Sequence, residues 1–345
     1  VCALSACGGG SSDASNLLKQ TFSGSHTVNS GNLSFVLVVT PSGSSTLSGP
    51  ITLSFGGPFQ NLGTGKLPES NFNISLSALG RTGSMAIIST GTTGYITLKD
   101  TSYQLPAATF QRLESTFASV GSSPGSSGSS GALGKLGIKP LRWITNPSVA
   151  GTEDVSGIKT THIRAGINVS ALLDDLNTFL EKGASLGISG ASQFAGGIPA
   201  ATKTRIASEV RNPRFDVWTG TSDKTVRKLS INLTLPVSGQ VSSLLGGLKS
   251  AQIALSMQYA NLNQPQTIQV PGNIHPFSEF SAKLRDFLGT VAGLVPGGAG
   301  SGSTGTSTPS PSPSPQGIQN YSQCIQSAHG DVTKMQGCAA LLGGK

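Results

Sequence analysis

Four segments of the chain alternate apolar and polar residues with a period of two, and that pattern leaves few folds open. ITLSF sets Ile51, Leu53 and Phe55 against Thr52 and Ser54. NFNISLS sets Phe72, Ile74 and Leu76 against Asn71, Asn73, Ser75 and Ser77. RKLSINLTL sets Leu229, Ile231, Leu233 and Leu235 against Lys228, Ser230, Asn232 and Thr234. AQIALSMQY sets Ala251, Ile253, Leu255, Met257 and Tyr259 against Gln252, Ser256 and Gln258. Successive side chains of a strand point to opposite faces, so each segment forms a strand with one apolar and one wet face. Strands of this kind assemble into an antiparallel sheet covered on one side only. Further strands are expected at 32–40, 83–90, 94–99, 157–168, 214–220 and 266–270. About ten such strands make a large curved sheet or half-open barrel.

The apolar face of that sheet needs a cover, and the sequence offers amphipathic helices. PAATFQRLESTFASV starts at Pro106 and carries Phe110, Leu113 and Phe117 at helical spacing. SALLDDLNTFLEKG has Ser170 as N-cap, a stripe of Leu172, Leu173, Leu176, Phe179 and Leu180, and Gly183 as its stop. PFSEFSAKLRDFLG repeats the pattern with Phe277, Phe280, Leu284, Phe287 and Leu288 before Gly289, and a weaker helix lies near 201–211. Runs of strands with helices between them read as α+β, with the helices on the concave face. Helices that seat fully leave an ordinary core; helices that stand off leave a pocket. The candidates for its lining are Phe35, Leu53, Phe55, Ile74, Leu76, Ile87, Trp218, Leu229, Ile231, Leu233, Ile253 and Leu255. Aromatic residues are only 6% of the chain. Such an aliphatic lining suits acyl chains better than sugars or nucleobases, which need stacking platforms.

At the N-terminus Leu4-Ser5-Ala6-Cys7 matches a bacterial lipobox. Residues 1–6 then read as the tail of a signal peptide, Cys7 as the thiol that takes a diacylglyceryl group, and 7–15 as a flexible tether. An ordinary signal peptide with a chance cysteine is the other reading. Lipidation places residues 16–296, the expected half-barrel, on the outer face of the cytoplasmic membrane. Residues 297–316, rich in Ser, Gly and Pro, form a linker. Residues 317–345 read as two short helices that a Cys324–Cys338 disulfide would staple, two free thiols being the alternative. This hairpin is the element a protein partner would meet. The net charge of +8 is spread singly along the chain, which fits an anionic leaflet and not a nucleic acid.

No constellation for catalysis survives inspection, and no metal or cofactor is expected. Gly121-Ser122-Ser123-Pro124-Gly125 spells GxSxG without the strand and helix that motif needs. Ser156-Gly157-Ile158-Lys159 spells SxxK outside a helix, and Gly63-Thr64-Gly65-Lys66 lacks the first glycine of a phosphate loop. Asp174 and Asp175 are adjacent on a helix and so point about 100° apart. His26, His162, His275 and His329 are read as structural or solvated.

The segment GTEDVSGIKTTHIRAGINVSALLDDL, followed by RFDVWTGTSDKTVRKLSINLTL, resembles the actinobacterial LppX/LprAFG-type lipoproteins within the LolA/LolB-like carrier class. The resemblance covers roughly residues 16–295, best at 135–260. It implies a half-open antiparallel barrel closed by helices, with acyl chains of a lipid or glycolipid held between, for carriage or sensing. The Ser/Gly insertion at 121–134 and the tail at 317–345 depart from the family core. Fold alone does not guarantee a ligand, so a scaffold using the same fold without one is the alternative.

Overall fold

A computed structural model describes residues 11–23, 26–63, 65–121, 137–185, 197–280 and 283–284. All of them belong to one compact unit, Val1–Gly298. Cys7, Cys324, Cys338, the insertion, the linker and the C-terminal hairpin lie outside the described residues.

The alternating segments form the strands they predict. In chain order the strands are β1 Ser30–Ser42, β2 Ile51–Gln60, β3 Glu69–Ala78, β4 Arg81–Ser89, β5 Gly94–Leu98 and β6 Thr101–Gln104. There follow β7 Ile144–Val155, β8 Ile158–Ile167, β9 Arg211–Gly220, β10 Val226–Pro236, β11 Ser250–Ala260 and β12 Ile274–Pro276. All twelve join one sheet in the order β12-β6-β5-β4-β3-β2-β1-β11-β10-β9-β8-β7. Only β12, beside β6, runs parallel to its neighbour. The sheet is open, with β12 and β7 at its edges.

Helix α1 spans Ser11–Ser23, α2 Ala107–Gly121, α3 Val169–Ser185, α4 Ala200–Glu209 and α5 Gly239–Leu244. Helix α1 corrects the expected tether, since Ser11–Ser15 are helical. Ala14, Leu18 and Phe22, four residues apart, form a stripe and are buried. Ser and Gly around Asp13 disguise the helix in composition, while Asp13 in its first turn suits the positive end of the helix dipole.

Other assignments also change, β6, β7 and β12 being strands the pattern did not predict. No strand forms at 266–270, and the parallel pair β12–β6 takes its place at that end of the chain. Strand β7 was missed because Pro147 and Gly151 break its pattern, and two register shifts interrupt its pairing with β8. A proline is tolerated there because β7 is an edge strand. The helix expected from Phe277 opens as a 3-10 turn, Phe277–Glu279.

Candidate functional site

Register decides which side chains share a face. Phe35 stands opposite Phe55 on β2 and Met257 on β11, and Leu37 opposite Leu53 and Leu255. Across β3 and β4 the same face continues through Ile74, Leu76, Phe72, Met85 and Ile87. Across β10 it continues through Leu229, Ile231 and Leu233, then Val217 and Phe215 on β9, then Ile163 and Ala165 on β8. Eleven of the twelve candidate lining residues therefore lie on one apolar face. The other face is wet, with Ser54 and Ser75 hydrogen-bonded across β2 and β3 at 2.6 Å.

The twelfth candidate, Trp218, is a correction. It pairs with His162 and Lys228 on the polar face, one residue out of phase with Val217. Its ring stacks on His162 at 4.3 Å, Lys228 Nζ sits 4.6 Å from its centroid, and its indole N–H donates to Glu153 Oε2 at 2.8 Å. The alternation Phe215-Asp216-Val217 already sets Trp218 on the polar face, but its ring reads as apolar, and the strand is buried on both faces from Phe215 to Gly220. The indole N–H is the main reason the Glu153 carboxyl titrates below its ordinary 4.5; burial opposes it and the His162 contact adds to it. The stabilisation from this lowering is present above the unfolded-state value and is lost as pH falls through the folded one. Trp218→Phe is therefore expected to move the Glu153 midpoint upward in a carbon-13 carboxyl titration. An unmoved midpoint would remove the indole from that role.

The apolar face is covered at its two ends. At one end Ala14, Leu18 and Phe22 of α1 and Val169, Ala171 and Leu173 of α3 are buried in one core with Ile163, Phe215, Val217, Leu229 and Ile231; Ile206 and Ala207 of α4 pack against it. Thr21 on α1 donates to Thr219 at 2.9 Å, pinning the helix to β9. At the other end Tyr103, Leu98 and Phe280 cluster with Met85, Ile96, Phe277 and Leu284. Between these covers, Phe35, Leu37, Leu53, Phe55, Ile74, Leu76, Leu233, Ile253 and Leu255 are only partly buried, and Ile87 is exposed. Aromatic pairs punctuate the stretch, Phe55 with Phe72 at 4.8 Å and Phe59 with Tyr259 at 6.3 Å. Burial pushes the Tyr259 phenol above its usual value. Near the β5 end α2 buries Phe110, yet Leu113 and Phe117 on the same stripe are 48% and 42% exposed. Leu229 and Ile231 are thus core, whereas their neighbours toward β1–β3, only partly buried among the described residues, are the remaining candidates. Sequence reasoning missed Leu33, Leu37 and Val39 of β1, where an unbroken run conceals the alternation.

The residues tested for catalysis have structural duties. Ser156 and Gly157 make the β7–β8 turn, with Ser156 in a left-handed conformation at φ 51° and its hydroxyl accepting from Gln258. Asp175 accepts from the Lys139 N–H at 2.6 Å and the Trp143 indole at 2.9 Å, while Asp174 faces Lys203 at 2.6 Å. Lys203 lowers the Asp174 pKa, chiefly through that hydrogen bond. Among the described residues no group of His, Cys, Asp and Glu has metal-site geometry, and no helix is long and apolar enough to cross a membrane.

No family model matches the chain, and no curated protein matches it. Among solved structures it is similar to LprF from Mycobacterium bovis, at 14% identity over 75% of this chain and 97% of that one, with a TM-score of 0.36. It is also similar to the lipoprotein LppX from Mycobacterium tuberculosis, at 13% identity over 74% and 98% of the two chains, with a TM-score of 0.33. A LolA-superfamily protein from Nitrosomonas europaea is 8% identical over 74% of this chain and 94% of that one, with a TM-score of 0.18.

Proposed function

We propose that the protein binds acyl chains of a lipid or glycolipid against the apolar face of β1–β3 and β11, as an extracytoplasmic lipoprotein anchored through Cys7. The observation that carries this reading is an apolar sheet face left partly open between two helix-covered ends. Such a face in water is unfavourable, and each methylene laid on it recovers roughly 0.8 kcal/mol. Its lining of aliphatic and phenyl side chains sets little hydrogen-bonding demand on a ligand, which suits a chain selected by length and not by headgroup. Diacylglycerol on Cys7 would keep the site beside a bilayer that supplies such ligands.

The test is native mass spectrometry of protein lacking the anchor after incubation with dipalmitoyl phospholipid vesicles. Uptake of one or a few acylated lipids is expected, reduced about tenfold or more by Phe35→Lys or Leu255→Lys, since a charge in an acyl site must be desolvated. Because both positions are only partly buried, circular dichroism should show the variants folded. Uptake indifferent to both charges, or none across several lipid classes, would sink the reading.

A further inference from the structure

The wet face of the sheet carries a second built feature. A cleft of about 660 Å³ crosses the strands β7 to β11 at the end where Gly166 sits. Its only charged lining residues among those described are Arg164 and Arg214, on adjacent strands. A single carboxylate holds both. Asp216, 4% exposed, accepts from Arg164 Nε at 3.4 Å through Oδ1 and forms an ion pair with Arg214 Nε at 3.1 Å through Oδ2. The first of these oxygens also contacts His162 Nε2 at 2.8 Å.

This arrangement has a chemical consequence. Asp216 engages each guanidinium by Nε, so the terminal amino groups of both arginines have no protein partner among the described residues. Both side chains remain more than half exposed, at 54% and 56%. Two guanidiniums fixed side by side, with their forks free, match the oxygens of a phosphate or carboxylate. Asp216 already contacts three basic groups, so a metal cation finds little there.

The rest of the lining is uncharged, with Ala165, Pro213 and Leu233 beside its polar residues. Ser148, Asn232, Thr234 and Gln252 offer hydroxyls and amides that both donate and accept. The backbone is shaped to match. Asn146 and Asn212, also in the lining, adopt left-handed conformations at φ 48° and 50°, beside register shifts in β7 and in the β9–β10 pair. Bulges of this kind re-aim side chains next to binding sites. At Gly166 a side chain is excluded, since a Cβ there would lie 2.6 Å from Thr145 Oγ1.

We propose that this cleft binds a phosphate ester carried on a polyhydroxylated group, with Arg164 and Arg214 on the phosphate and the amides and hydroxyls on the polyol. The site lies on the opposite face from the acyl-binding surface and does not depend on it. Such a group occurs free, as a sugar or inositol phosphate, or as a lipid headgroup, and the test separates the two.

Isothermal titration with myo-inositol 1-phosphate is expected to show saturable binding weakened by added salt, with myo-inositol alone far weaker. Arg164→Gln and Arg214→Gln should each weaken it about tenfold or more, consistent with loss of a charge-assisted pair. Leu255→Lys, on the other face, should leave it unchanged, which separates failure here from failure of the acyl reading. Flotation with phosphatidylinositol vesicles against phosphatidylcholine vesicles identifies the source. Arginine-dependent recruitment assigns a headgroup, and binding of the soluble ester alone assigns a free ligand. No binding up to roughly 10 mM ester, or binding untouched by both arginine substitutions, overturns the proposal.

Discussion

Phe215→Ala is expected to destabilise the protein by about 3–5 kcal/mol, the range for emptying a fully enclosed aromatic position. Phe215 has no exposed surface. It sits on β9 between Ala165 on β8 and Ile231 on β10, with the Phe22 ring of α1 at 6.4 Å across it. A sheet on one side and helices on the other leave little freedom to collapse into the space. Urea denaturation should show the midpoint fall with an unchanged slope. Phe35→Ala, on the same face but only partly buried, should cost less, about 1–2 kcal/mol, because part of its surface still meets solvent in the folded state. Equal losses at the two positions would mean that the face is covered uniformly, and would remove the basis for an acyl site.

Asp175→Ala is expected to cost about 2–5 kcal/mol by a different route. The carboxylate is buried under the turn Pro140–Arg142 and gathers the Lys139 N–H, the Trp143 indole N–H and Arg142 Nη1, the last at 3.2 Å. Alanine leaves two buried donors without an acceptor, whereas Asp175→Asn keeps one acceptor oxygen and should lose less. Thermal unfolding followed by tryptophan fluorescence distinguishes the pair. Equal losses, or an alanine cost below about 0.5 kcal/mol, would show that water replaces the carboxylate.

The sheet and its apolar face were legible because period-two patterning fixes side-chain phase within each strand. β2, β3, β10 and β11 alternate cleanly, and so eleven of twelve candidate lining residues share one face. Trp218 did not: Asp216 two positions before it already marks the polar face of β9, but a bulky ring there is buried by His162 and Lys228 across the strands, which only the register shows. The distinction between core and open surface was illegible for a related reason. Leu229 and Leu233 are equivalent in the pattern, yet only the first is buried under the helices. The seating of α1, α3 and α4 over that end decides it, and α1 was concealed by a Ser-rich start. The cleft on the wet face was also out of reach, since Arg164 and Arg214 lie fifty residues apart and meet only through the β8–β9 register.

The order of the sheet also bears on how the chain reaches its fold. β1 to β6 are consecutive neighbours, as are β7 to β11, so each half is a meander built from nearby sequence. The two halves meet along one seam, where β1 pairs with β11 from Asn32↔Ala260 to Ser42↔Ser250. Closing that seam joins segments more than two hundred residues apart, and such non-local pairing is slow. During synthesis the first half would wait with β1 as a bare edge until Ser250–Ala260 emerged. Edges of that kind invite pairing with other chains. The last strand of the second meander therefore works as a closing stitch, and a truncation before residue 250 should leave two unjoined, aggregation-prone halves and not a smaller working protein.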